Sequence, residues 1–175
     1  MTVGRLASSE RYKGHDQVIR ALRRVLSNHP ETIYLIIGDG DDRARLEALA
    51  VEFGVTEKVE FVGHVDAEQL PNYFRLADVF VMPSTGEGFG IAFLEAMASG
   101  IAVIGGNLDA SPDPLADGVL GTVVDPSNQE QLASAICAAL CAPPVKIDRA
   151  TRFDVQAFSE HLYALVEASF TPRDQ

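Results

Sequence analysis

The chain has 175 residues, enough for one domain, and 47% of them are hydrophobic, so a sizeable core can be buried. Its formal net charge of −11 disfavours nucleic acid and anionic membrane faces as partners. No apolar run nears the roughly 20 residues of a membrane span. The first residues lack the basic-then-apolar layout of a secretory leader, and the expected location is cytoplasmic.

Met1-Thr2-Val3-Gly4 reads as the end of a short strand, so the chain is expected to be one piece of a longer protein. Residues 16–27 place Val18, Ile19, Leu22, Val25 and Leu26 at helical spacing. The densest basic cluster, Arg20, Arg23 and Arg24, lies on this helix and reads as a solvated face. Residues 32–37 are an apolar run between Pro30 and Gly38, as in a buried strand. A helix over 42–53 puts Leu46, Leu49, Ala50 and Phe53 on one face, and Gly54 stops it. There follow a strand over 59–62, a helix over 67–76 with Pro71 in its first turn, and a strand over 79–82 stopped by Pro83. A helix over 90–99 and a strand over 102–104 come next, closed by Gly100 and by Gly105-Gly106. Residues 107–118 are loop-rich, 121–124 strand-like and 129–140 helical. Beyond Ala142-Pro143-Pro144 an amphipathic helix is predicted over 155–170, in a C-terminal segment of about 153–175. Cys137 and Cys141, four apart on a helix, suit neither a disulfide nor a structural zinc site, so reduced core thiols are expected.

This alternation predicts one α/β domain over 1–175, Rossmann-like, with three α/β/α layers and a parallel sheet. Ligands of such sheets bind beyond the carboxyl ends of the strands. Function is therefore sought in the loops after Val3, Ile37, Val62, Met82 and Ile104.

The loop after Met82 is Pro83-Ser84-Thr85-Gly86-Glu87-Gly88-Phe89-Gly90, directly before a helix. Its glycines allow close approach to the backbone, and the free N–H groups of the helix start favour a phosphate. Glu95 is the only charged residue from Ile91 to Ile104, so a helix buried nearly all round is expected to carry one carboxylate in need of partners. It stands roughly 7 Å along the helix from the anion-binding end, which suits two ribose hydroxyls. A structural salt bridge is the alternative for Glu95, and a helix cap the alternative for Glu87. Arg5 after Gly4, and Lys13-Gly14 before a helix, bring cations to the same sheet edge. Asp39 and Asp41 read as turn and helix-start residues rather than as a metal pair. His15, His29, His64 and His161 show no metal-ligand spacing, and no nucleophile–histidine arrangement can be argued. No metal and no cofactor is expected.

Together these stretches resemble the C-terminal domain of the retaining GT-B glycosyltransferases of group 1 (family 4). The matches are Val3-Gly4-Arg5-Leu6, Lys13-Gly14-His15-Asp16, Ile37-Gly38-Asp39-Gly40, Val62-Gly63-His64-Val65, Ala77-Asp78 through Pro83-Ser84, and Glu87-Gly88-Phe89-Gly90 through Ser99-Gly100. The last holds the family's Glu-x7-Glu motif, and the likeness runs from about residue 3 to 140. The resemblance implies that Arg5 and Lys13 hold a donor diphosphate and that Glu87 lies beside the donor sugar. Gly4, Gly88 and Phe89 would line the donor, and N–H groups near Gly90 and Ile91 would meet phosphate and sugar. Glu95 would take the ribose hydroxyls, and the backbone around His64 and Val65 would touch the base.

It further implies metal-independent transfer from a nucleotide-diphospho-sugar (UDP- or GDP-linked) to the hydroxyl of an acceptor sugar or lipid. An N-terminal acceptor domain would be missing, leaving a piece that binds donor but transfers nothing alone. A stand-alone nucleotide-sugar-binding module and a fragment of a GT-B nucleotide-sugar epimerase stay open as alternatives. A nicotinamide-dependent oxidoreductase is disfavoured, because the first strand is not followed by Gly-x-Gly-x-x-Gly. Residues 105–112 follow the family pattern only loosely.

Overall fold

The computed structural model describes residues 1–143. In chain order these form β1 (Thr2–Val3), α1 (His15–Asn28), β2 (Tyr34–Ile37), α2 (Arg43–Glu52), β3 (Val59–Gly63) and α3 (Leu70–Leu76). Then come β4 (Val79–Met82), α4 (Ile91–Ala98), β5 (Ala102–Gly106), β6 (Thr122–Val124) and α5 (Gln129–Cys141). Helix α1 shows the sequence logic most clearly. Val18, Ile19, Ala21, Leu22 and Val25 are buried, while Arg20, Arg23 and Arg24 are exposed. The apolar stripe repeats at three and four residues, so one face packs and the other is solvated.

All strand pairs are parallel, in two three-stranded sets ordered β1-β2-β3 and β4-β5-β6. The sets meet where the Val81 amide donates to the Met1 carbonyl oxygen at 2.9 Å. The spatial order is therefore 3-2-1-4-5-6, the doubly wound arrangement, and β1 and β4 flank the point where the winding reverses. Period-two alternation separates two cores. Val79 and Val81 join Val18, Leu22, Ile36, Leu132 and Ile136 on the face covered by α1, α2 and α5. Phe80 and Met82 join Phe74, Phe93, Met97 and Leu115 on the other face, under α3 and α4. Phe80 meets Phe93 edge-on, with centroids 5.7 Å apart. Burying each such ring contributes about 2–3 kcal/mol and pins α4 to the sheet.

The structure departs from the sequence reading in four places. Residues Ser8–Lys13 form 3-10 turns between β1 and α1, a polar stretch without hydrophobic periodicity. Helix α3 starts at Leu70 rather than Ala67, because a turn closed by Gln69 N–H on Asp66 O precedes it. Helix α4 is not buried all round. Phe93, Ala96 and Met97 pack on the sheet, whereas Ile91, Glu95 and Ala98 are exposed. An eight-residue helix in an outer layer covers the sheet with one face only, so its apolar outer residues stay open. Both cysteines are free, as expected, but Cys141 is exposed rather than in the core. The predicted helix over 155–170 lies outside the described residues.

Candidate functional site

The loops after β1 and β4 leave the carboxyl ends of adjacent strands and are laced together. Thr85 N–H donates to Tyr12 O at 2.8 Å. Gly14 caps α1 at φ 79°, and a Cβ there would stand 2.4 Å from the Pro83 carbonyl oxygen. Only glycine fits that left-handed turn against a neighbouring backbone. Gly90 caps α4 at φ 79° with no side chain on the helix start, so the amides of the first turn face the loop side. Those amides carry the positive end of the helix dipole.

Lys13 sits where the two loops meet. Its Nζ donates to Glu87 Oε2 at 3.1 Å, lies 3.6 Å from Glu10 Oε2, and stands 5.2 Å over the Tyr12 ring. Gly4 makes room for the lysine stem, since a Cβ there would be 2.8 Å from Lys13 Cδ. Burial works to lower the Lys13 pKa, but the Glu87 hydrogen bond, with the Glu87 and Glu10 charges, outweighs it and holds the ammonium form. Arg5 is 80% exposed and reaches Glu10 through its guanidinium. Glu10, nearly buried, thus bridges the two cations named from the sequence.

Gly4, Arg5, Lys13 and Glu87 therefore come together, beside Gly90 and the start of α4. Gly88 and Phe89 are exposed on the same loop, and Ile91 (69% exposed) and Glu95 share the open face of α4. His64 and Val65 stand apart at the end of β3, two strands away from β1 and so about 10 Å from it. The His64 side chain is 83% exposed, 3.7 Å from Asp66 Oδ1, and Val65 packs against the core. Asp39 and Asp41 are engaged locally: Asp39 accepts from the Gly40 amide, and Asp41 from the Ser8 amide and hydroxyl.

Two acids were missed. Glu10 sits in a polar run, and only its i, i+3 spacing to Lys13 hinted at a pair. Asp109 lies in the loop after β5, where it accepts hydrogen bonds from Ser84 Oγ, the Glu87 amide and the Ser111 amide. Burial pushes its pKa up, but these donors outweigh it and hold Asp109 below the usual carboxylate range. A concavity of about 750 Å³, lined by Met1, His29, Tyr34, Asp78, Val79 and Leu140 among others, lies at the amino ends of the strands. That is the opposite end of the sheet from the cation-bearing loops.

The fold and these loops define a doubly wound α/β domain with paired cations and acids, Arg5 and Lys13 with Glu10 and Glu87, beside glycines at its switch point. The family model for group 1 glycosyl transferases matches residues 1–156, and the chain belongs to that family. It is 37% identical over 138 residues to a GDP-mannose-dependent alpha-(1-6)-phosphatidylinositol monomannoside mannosyltransferase of Mycolicibacterium smegmatis, across 75% of this chain and 36% of that protein. It resembles a sucrose-phosphate synthase of Thermosynechococcus elongatus with a TM-score of 0.79 and 28% identity, over 97% of this chain and 45% of that one. It also resembles the C-terminal domain of a group 1 family glycosyl transferase of Francisella tularensis, with a TM-score of 0.68 and 28% identity, over 81% of this chain and 75% of that one. The chain spans about a third of the length of the curated relatives it matches. No helix among the described residues is long and apolar enough to cross a membrane.

Proposed function

We propose that this chain is the donor-binding domain of a retaining glycosyltransferase and binds a nucleoside-diphospho-sugar at the switch point. One observation carries the reading. Lys13 and Glu87, from the loops after β1 and β4, meet at 3.1 Å beside the glycine-capped start of α4. Arg5 pairs with Glu10, and Lys13 with Glu10 and Glu87. A diphosphate entering between the loops would take up both cations and the amides near Gly90 and Ile91. Glu87 would then turn to the sugar, Glu95 to the ribose hydroxyls, and the backbone at His64 and Val65 to the base. Gly4, Gly88 and Phe89 would line the path.

As the bond between sugar and phosphate breaks, charge accumulates on the leaving diphosphate. Arg5, Lys13 and the α4 dipole would stand where that charge develops, which is how such a site would lower the barrier. The acceptor hydroxyl would attack from the same side of the sugar, supplied by an N-terminal domain that the longer relatives have room for. The 175 residues alone would bind donor and transfer nothing. The GDP-mannose-dependent relatives favour GDP over UDP as the nucleotide. Titration calorimetry of the chain with GDP, UDP and ADP tests this: GDP should bind most tightly, and no heat with any of the three overturns the reading.

A further inference from the structure

The loop after β5 reaches the Glu87 segment. Gly106 allows it: a Cβ there would stand 2.1 Å from the Ser84 carbonyl oxygen, so only glycine lets the loops after β4 and β5 lie this close. Three residues on, Asp109 turns its carboxylate towards the neighbouring loop. Oδ2 accepts from Ser84 Oγ and from the Glu87 amide, each at 2.7 Å, and Oδ1 accepts from the Ser111 amide at 2.9 Å. Ser84 Oγ also lies 2.9 Å from Ser111 Oγ, and both serines are fully buried. On the other side of the same residue, the Ala110 amide donates to Glu87 O at 3.2 Å.

Residues 109 and 110 thus hold both backbone polar groups of Glu87. The chemistry is matched. A carboxylate has only acceptors, and every group aimed at Asp109 is a donor. Without it, the glycine-flanked Glu87 segment would keep few restraints of its own. We infer that Asp109 is a positioning residue: it fixes the Glu87 backbone and so sets how the Glu87 carboxylate meets Lys13 and the donor sugar. The inference rests on the donor-site reading of Glu87.

Asp109→Ala tests it, because it removes the acceptor that meets the Glu87 N–H, Ser84 Oγ and the Ser111 N–H. In the 175-residue chain, NMR amide exchange should speed at least about tenfold at Glu87 and stay unchanged at Val81 and Ile104. GDP-mannose affinity should fall about tenfold while GDP affinity changes little, a split that a general loosening of the fold would not give. In the unmutated chain, acid titration should move the Glu87 and Ser111 amide proton shifts together, below the usual carboxylate range. That measurement decides the matter if the variant does not fold. Unchanged Glu87 exchange in the variant, or no shared titration in the unmutated chain, overturns the inference. If the variant binds GDP-mannose as the unmutated chain does, the positioning role falls and the donor reading stands. If the unmutated chain binds no sugar nucleotide, the donor reading falls, and exchange and titration still decide whether Asp109 holds Glu87.

Discussion

Lys13 Nζ donates to Glu87 Oε2 at 3.1 Å across 74 positions of sequence, with Glu10 on the other side of the ammonium. The lysine is held between two carboxylates, a place that a diphosphate would contest. Replacing it removes the one ammonium that both loops share. A charge-assisted hydrogen bond contributes about 1.5–3 kcal/mol, so Lys13→Ala should weaken GDP binding by roughly 10- to 100-fold. Calorimetry on the variant checks it, and unchanged affinity would remove Lys13 from the site.

Glu87→Gln should act in the opposite sense on the bare nucleotide. It deletes a negative charge next to the phosphate position, so GDP should bind at least as tightly as before. The advantage of GDP-mannose over GDP should shrink, because the sugar loses its carboxylate partner. A variant that loses GDP tenfold would show that Glu87 supports the phosphate instead.

Glu95 stands on the open face of α4, so its loss should cost little fold stability: a melting shift of about 2 °C or less for Glu95→Ala. Nucleotide affinity should still fall, and by more than in Asp39→Ala, whose carboxylate closes its own turn by accepting from the Gly40 amide. Equal affinities in the two variants would take the ribose away from Glu95.

Gly14→Ala should destabilise the fold. The residue would have to hold φ 79° with its Cβ 2.4 Å from the Pro83 carbonyl oxygen. Left-handed backbone and overpacking together cost about 2–4 kcal/mol. A urea midpoint lowered at unchanged slope is the expected signature.

His15 supplies a pH dependence. Burial, helped by the Lys13 charge, lowers its pKa from the ordinary 6.5 to about 4. Its Nε2 is buried and has no hydrogen-bond partner among the described residues, which agrees with a neutral ring at pH 7. The unfolded chain therefore binds a proton that the folded chain refuses between pH 6.5 and 4. Stability should decline by about 3 kcal/mol as pH falls through that window and level off below it. His15→Gln should remove this component, and the difference between the two pH profiles separates His15 from other titrating groups. Parallel profiles would show that the ring is not held neutral.

Most of the fold was legible because periodicity is local. Val18, Ile19, Leu22 and Val25 on α1, and the apolar run of β4, declare their elements without reference to anything distant. The Glu87–Glu95 stretch was legible for a related reason: its glycines, its two acids and its helix start lie within a dozen residues. Glu95 shows the limit. A run of apolar neighbours in sequence does not reveal whether α4 is covered on one face or all round, since that depends on what packs against it.

By itself the sequence determined the strand–helix alternation, the parallel sheet and the loops at the carboxyl ends of its strands, because each follows from short-range pattern. Only the tertiary structure decided which loops meet. The 3-2-1-4-5-6 order sets β1 beside β4, and so brings Lys13 to Glu87 and Glu10 between Arg5 and Lys13. The closeness of Gly106 to Ser84 brings Asp109 to the Glu87 amide. These contacts join loops far apart in the chain, and a hydrogen bond between distant polar residues leaves no periodic trace in the sequence that makes it.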